Sequence, residues 1–368
     1  MAAPPASVAR GGKLDRVCYR TENLAAGSVL DGALADVNGD GHLDVLGLLS
    51  LKAQVVLLLS DDQGRFREHG RTSVSPRTLG IAACDVNEDG RIDLVTADHK
   101  DNAATIYFGD GRGALERHGQ LRVAGSPTAI AVGDVNGDRH VDVLLSLTTA
   151  VQTFLGDGRG GFRPSQRMAA GEYPARPLLV DLDGDGDLDL VVASNDSHFV
   201  LVGDNNGSGR FREVQRIRCG RGGSDVIAAD FDGKGKLGLA VSNVNSLTAC
   251  VFRQRKGEWE VAGEFEGGGW SVAADDLDAD GDADLLLGGA TPAALRTDPH
   301  GGWGGLNFYR SEGAGEFYPF DKASLPGPAN RLWVHDFDGD GQHDILGVGQ
   351  RGVHVLYRGS CAAPAPLY

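Results

Sequence analysis

The stretch DLDGDGDLD, Asp181 to Asp189, places five carboxylates within nine residues. Left without a counter-charge they repel one another at close range. The pattern recurs six more times: DVNGDGHLD (Asp36 to Asp44), DVNEDGRID (Asp85 to Asp93), DVNGDRHVD (Asp134 to Asp142), DFDGKGKLG (Asp230 to Gly238), DLDADGDAD (Asp276 to Asp284) and DFDGDGQHD (Asp336 to Asp344). First residues are spaced by 49, 49, 47, 49, 46 and 60, so one unit repeats throughout and the sixth carries an insertion. A period of this size marks a repeat architecture of supersecondary units.

Each unit has the same internal order. In the second, small and apolar residues (GIAAC) precede the acidic loop, an apolar run (IDLVTA) follows it, and two further segments (ATIYFG, LERHGQLRV) flank a glycine turn. These are four short strands bounded by Gly and Asp. The last two are joined by a glycine two residues before a bulky one: Gly64 and Phe66, Gly113 and Leu115, Gly160 and Phe162, Gly209 and Phe211, Gly257 and Trp259, Gly315 and Phe317. Such a glycine supplies positive φ and the large side chain anchors the hairpin. First strands rich in Ala and Val, as in GALADV and VIAADF, suit crowding around a central axis.

Seven such units predict an all-β fold, a seven-bladed β-propeller of four-stranded blades. The seventh unit ends after its third strand, VHVLYRGS, while LDRVCYRT near the N-terminus stands where a fourth strand belongs. The N-terminal strand is therefore expected to close the ring and remove a free sheet edge. The expected organisation is one propeller over residues 14–360, with tails at 1–13 and 361–368.

Within the nine-residue loops, Asp or Asn at positions 1, 3 and 5 converge if the loop curls around the Gly at position 6, and the carboxylate at position 9 completes the shell. Oxygen ligands in this number suit Ca²⁺ better than the tighter Mg²⁺ octahedron. An EF-hand is excluded, because position 12 is Gly47, Thr96, Leu145 or Val192 in the first four loops and a strand follows at once. The expected ligand sets, with position 7 included, are Asp36, Asn38, Asp40, His42 and Asp44; Asp85, Asn87, Asp89, Arg91 and Asp93; Asp134, Asn136, Asp138, His140 and Asp142; Asp181, Asp183, Asp185, Asp187 and Asp189; Asp276, Asp278, Asp280, Asp282 and Asp284; and Asp336, Asp338, Asp340, Gln342 and Asp344. Up to six ions follow. The third loop is expected to bind more weakly, since Arg139 replaces the position-6 glycine. The fifth is expected to be empty, since Lys234 and Gly238 remove two ligands and add an ammonium.

These loops, with LGDGRGGF and FGDGRGAL, resemble the FG-GAP or VCBS repeats of integrin α-subunit propellers and of related lectins and extracellular proteins. The resemblance runs from about residue 14 to residue 358. It implies a calcium-binding propeller and an extracellular or cell-surface location. It leaves activity open, because such propellers serve as adhesion modules, lectins and enzyme scaffolds.

Composition narrows the classes. Of 368 residues 35 are basic and 51 acidic, a net charge of −16 that six divalent cations would bring to −4. No basic stripe interleaved with aromatics suggests nucleic acid, and no apolar run is long enough to span a bilayer. The N-terminal MAAPPASVARGGKLDRV lacks the apolar centre of a secretory signal, so a cytoplasmic location stays open. A monomer is expected. Of five cysteines, Cys18 and Cys361 meet across the closing blade, where either a bridge or two thiols fits. Cys84, Cys219 and Cys250 read as small buried residues, and His99, His198 and His354 as surface or filler residues.

No nucleophile elbow, zinc-binding His pair or phosphate loop appears. The expected function is non-catalytic recognition of a carbohydrate or an extracellular protein ligand. The alternative is an enzyme, a polysaccharide lyase or a biosynthetic enzyme, with catalytic groups on long loops. By propeller connectivity the acidic loops share a face with the third-to-fourth turns, and the insertion Gly288 to Gly305 lies on the other. A ligand is expected there, on Arg296, Asp298, His300 and Trp303 of the insertion, with Arg176, Asp225, Trp270 and Arg331 from neighbouring loops.

Overall fold

The computed structural model describes residues 17–25, 27–218, 220–290, 304–313 and 316–360. Seven four-stranded antiparallel sheets follow one another as blades. Blade 1 runs Asp31–Ala35, Asp44–Leu49, Gln54–Leu59 and Arg67–Ser73, and blades 2 to 6 repeat that order. A short 3-10 turn, Ser50–Lys52, follows the second strand of blade 1.

Blade 7 takes three strands from the end of the chain (Ala329–His335, Asp344–Gly349 and Gly352–Ser360) and its outer strand, Val17–Ala25, from the beginning. The two outermost strands run antiparallel, with Cys18 opposite Gly359 and Arg20 opposite Tyr357. Ring closure by the N-terminal strand, expected from the count, is what the structure shows.

The core is divided among the blade interfaces. Second strands are fully buried and their alternating side chains serve two neighbours. In blade 2, Leu94 packs toward blade 1 beside Leu46 and Val55, while Val95 and Ala97 pack toward blade 3 beside Ile130 and Val143. Each neighbouring pair has its own apolar cluster, and the ring is completed by one in which Val45 and Val56 of blade 1 meet Leu346 and Val355 of blade 7. Small residues are required at the axis. A Cβ on Gly80, in the first strand of blade 2, would sit 3.1 Å from the Ala129 backbone of blade 3.

Candidate metal loops and a central ligand cavity

All seven acidic loops have one conformation. Position 6 lies in the left-handed region throughout, from φ 76° at Gly235 to 96° at Gly281, and Arg139 adopts 74° where its relatives have glycine. Position 4 is left-handed as well, even where it is Glu88 (φ 60°) or Ala279 (φ 63°). Two such residues curl the loop so that its amides point inward. The position-1 carboxylate collects them: in the first loop, Asp36 accepts from Gly39 N at 2.7 Å, Asp40 N at 3.1 Å and Gly41 N at 2.8 Å.

The position-9 carboxylate has a second task. Asp142, fully buried, accepts Val135 N at 2.9 Å on one oxygen and Gly156 N, from the third strand, at 2.8 Å on the other. Asp44, Asp93, Asp189, Asp284 and Asp344 repeat both bonds. The loop is thereby fastened to its own blade. It is also fastened to the next one through the position-2 carbonyl: Val86 O accepts Gly160 N, Val135 O accepts Asn205 Nδ2 at 2.7 Å, Phe231 O accepts Ser311 Oγ at 2.6 Å, and Leu277 O accepts Arg358 Nη1 at 2.7 Å.

Three loops gather carboxylate oxygens tightly enough to hold a metal ion. These are Asp181, Asp183 and Asp189; Asp276, Asp278 and Asp284; and Asp336, Asp338 and Asp344, with one oxygen of each residue within 4.8 Å of the others. Loops one to three have Asn at position 3, whose amide nitrogen bonds the position-5 carboxylate, as Asn38 does to Asp40 at 2.8 Å. The donor set fits a hard cation. In the sixth loop Asp278 Oδ1 is buried with no hydrogen-bond partner, and burial with nearby carboxylates pushes Asp284 up to about 7 and Asp344 up to about 6. A cation held within each loop is the group that would relieve these carboxylates.

The fifth loop differs as its sequence implies. Lys234 Nζ lies 3.0 Å from Asp232 Oδ2. Gly238 offers no carboxylate, and a Cβ there would come within 2.8 Å of the Phe231 ring. Asp232 Oδ1 is nonetheless buried without a hydrogen-bond partner.

On the opposite face the first strands begin around a cavity of about 1040 Å³. Arg176, Asp225, Trp270 and Arg331, the four neighbours singled out in the sequence, all line it, with Asp31, Arg77 and Asn330. The charged residues share a register. Asp31, Arg176, Asp225 and Arg331 each stand five residues before the first Asp of their loop, in blades 1, 4, 5 and 7. Arg176 reaches across the axis to pair with Asp31, whose other oxygen accepts Ile81 N at 2.9 Å. Arg331 donates to Gly32 O at 3.0 Å and lies over the Trp333 ring, 4.9 Å from its centroid. Burial and the Arg176 charge lower the Arg331 guanidinium to about 10, which leaves it cationic at neutral pH. Burial raises Asp225, which accepts Val272 N at 3.3 Å. Arg296, Asp298, His300 and Trp303 lie outside the described residues; the strands that flank them end at Gly289 and resume at Gly305, on the cavity's face.

Sequence reasoning missed Asp31 and Arg77. Asp31 was findable by the shared offset from the loop. The cysteine readings need one addition: Cys84 is a free thiol that burial pushes up to about 12, whereas Cys250 is buried and disulfide-bonded. Cys361 and Cys219 are outside the described residues, so the Cys18–Cys361 expectation falls there too. His354 is a filler residue, buried between the closing strands with Nδ1 2.5 Å from Asn23 Oδ1. His99 and His198 bond backbone carbonyls, at 3.2 and 2.8 Å.

Sheets and loops together define a repeat β-propeller whose blades carry Asp- and Asn-rich first connections. Residues 36–96, 85–145 and 181–241 match the FG-GAP-like repeat, and the seven-bladed β-propeller is consistent with the FG-GAP propeller family. No curated protein matches it by sequence. Its fold is similar to that of BBS1N, solved in complex with ARL6DN (10% identity, TM-score 0.64, covering 95% of this chain and 98% of that one). It is also similar to an Agrocybe aegerita lectin that recognises non-reducing terminal N-acetylglucosamine (16%, TM-score 0.52, 91% and 86%) and to the V. cholerae biofilm matrix protein Bap1 (12%, TM-score 0.53, 91% and 77%). At these identities the likeness is one of fold alone. Among the described residues no helix is long and apolar enough to cross a membrane.

Proposed function

We propose that this protein is a calcium-stabilised, non-catalytic recognition module of the extracellular space or cell surface that takes its ligand, a carbohydrate, in the central cavity. The observation that carries this is the convergence of Arg176, Asp225, Trp270 and Arg331, from four blades, on one large cavity. Charged groups at the floor and an exposed indole at the rim are what orientation and stacking of a polar ring require. Kinship of fold with a lectin supports the same reading.

Calcium would be held by the Asp and Asn side chains of positions 1, 3, 5 and 9, with the position-7 residues His42, Arg91, His140, Asp187, Asp282 and Gln342 contributing main-chain oxygen. Its role is structural, since the loops lie on the face away from the cavity. Binding to the native state alone adds about 2.7 kcal/mol per site at a hundredfold excess over Kd. Thermal melts with calcium and with EGTA test this part, and coincident curves from metal-free protein would remove it. A glycan array tests the other. Discrete hits that Trp270→Ala abolishes without lowering Tm are expected, whereas silence on the array with turnover of a polysaccharide would replace recognition by catalysis.

A further inference from the structure

The cavity floor indicates which carbohydrates. Each guanidinium carries five N–H donors. Arg176 commits one hydrogen bond, to Asp31, and Arg331 one, to Gly32 O, so most of their donors are unspent on described residues. Arg77, exposed at the mouth, adds a third cation. Against these stand two acids, Asp31 and Asp225, both already accepting backbone amides. Arg77, Arg176 and Arg331 outnumber the acids that line the cavity, a positive balance that matches an anionic ligand group.

The surroundings suit a sugar ring. Seven large apolar side chains are exposed among the described residues, and Leu30, Leu51 and Trp270 line this cavity while Tyr173 lines the hollow beside it. Trp270 borders both spaces and is 41% exposed. Asn195 and Asp196 in the adjoining hollow offer acceptors for hydroxyl groups. A planar carboxylate also matches the guanidinium fork, which pairs with it through two parallel bonds.

We infer that the cavity recognises a carboxylated sugar, its carboxylate on Arg176 and Arg331 at the floor and its ring against Trp270 at the rim. This rests on the proposed recognition function and narrows it to one ligand class. Asp31 pairs with Arg176 and lies 3.9 Å from Arg331 Nη1, so it positions both arginines and does not meet the ligand.

The test compares calorimetric binding of a trigalacturonate with that of the corresponding neutral galactotriose, on the full chain in calcium. The acidic trisaccharide should bind and the neutral one should bind at least about tenfold more weakly, the loss expected when a charge-assisted hydrogen bond is removed. Arg176→Gln should lower affinity for the acid by a similar factor and leave that for the neutral sugar unchanged. If Arg176→Gln does not fold, because Asp31 loses its partner, Trp270→Ala at the exposed rim should still weaken the acidic sugar by about tenfold with Tm unmoved. Equal binding of both trisaccharides would overturn the carboxylate assignment and leave recognition standing. Binding of polyglutamate but of neither sugar would overturn the sugar class. An absence of binding to any of the three, together with a silent glycan array, would remove the recognition function itself.

Discussion

The residue on which each repeat turns is the Asp at position 9 of its loop. It satisfies two buried backbone amides from two segments, so its removal costs stability whether or not a metal is present. Asp142→Ala strands Val135 N and Gly156 N. At about 1–3 kcal/mol for each buried donor left unpaired, the variant should lose about 2–6 kcal/mol in urea unfolding, in EGTA as in calcium. Asp138→Asn alters an exposed position-5 carboxylate and should matter only in calcium. Equal sensitivity of the two variants to EGTA would show position 9 to be a ligand and nothing more. The same residues set a pH dependence. Burial, reinforced by neighbouring carboxylates, raises Asp284 to about 7 and Asp344 to about 6, so the metal-free native chain holds protons that the unfolded chain releases near pH 4. This contribution is complete below that pH and is lost as pH rises through about 6 and then about 7. Metal-stripped protein should therefore melt at a lower temperature at pH 8 than at pH 5, and saturating calcium should shrink the difference. A higher Tm at pH 8 in the stripped protein would contradict the assignment.

At the scale of the element, the loop was legible in part. Side chains at positions 1, 3, 5 and 9 announce themselves because they are acidic and periodic. The left-handed turn at position 6 was visible as glycine, and Arg139 shows that the geometry outlasts the residue. Position 4 was also visible, as Gly39, Gly137, Gly184, Gly233 and Gly339, but Glu88 and Ala279 disguise the rule. The bond from the position-2 carbonyl to the next blade could not be seen, because a carbonyl is common to every residue and only packing selects which one is used. The fifth loop separates ligand count from loop shape: Gly235 keeps φ at 76° and Asp230 Oδ2 still accepts Gly235 N at 2.6 Å, yet position 9 is empty of carboxylate. Calcium counting on purified protein should give no more than six ions per chain. Lys234→Asp alone should add none, because Gly238 still withholds the closing ligand, and a seventh ion in that variant would show that positions 1, 3 and 5 suffice.

For the whole molecule, the repeat count carried the blade number and the short seventh repeat carried the closure. The cavity was harder to read, since the charges that line it are scattered by some 300 residues and become neighbours only when seven first strands are set side by side in one register. Closure has its own energetics. The core consists of seven clusters between blades, and the one joining blades 7 and 1 depends on the Gly352–Ser360 strand, whose Val353, Val355 and Tyr357 belong to it. Tyr357 also donates its hydroxyl to Gly64 O of blade 1, and Arg20 of the N-terminal strand lies over its ring, 4.3 Å from the centroid. Deleting residues 1–25 strips this strand of its partner, uncovers the Tyr357 ring and leaves a row of unpaired backbone groups at a sheet edge, the surface from which strand-to-strand association grows. The truncated chain should elute as dimers or larger species, melt well below the full chain, and recover both monomeric elution and Tm when a peptide of residues 14–25 is added in excess. Light scattering and thermal melts of the two chains decide it. A truncated chain that stays monomeric with its Tm unchanged would mean that the ring holds without its N-terminal strand and that the seven interface clusters suffice.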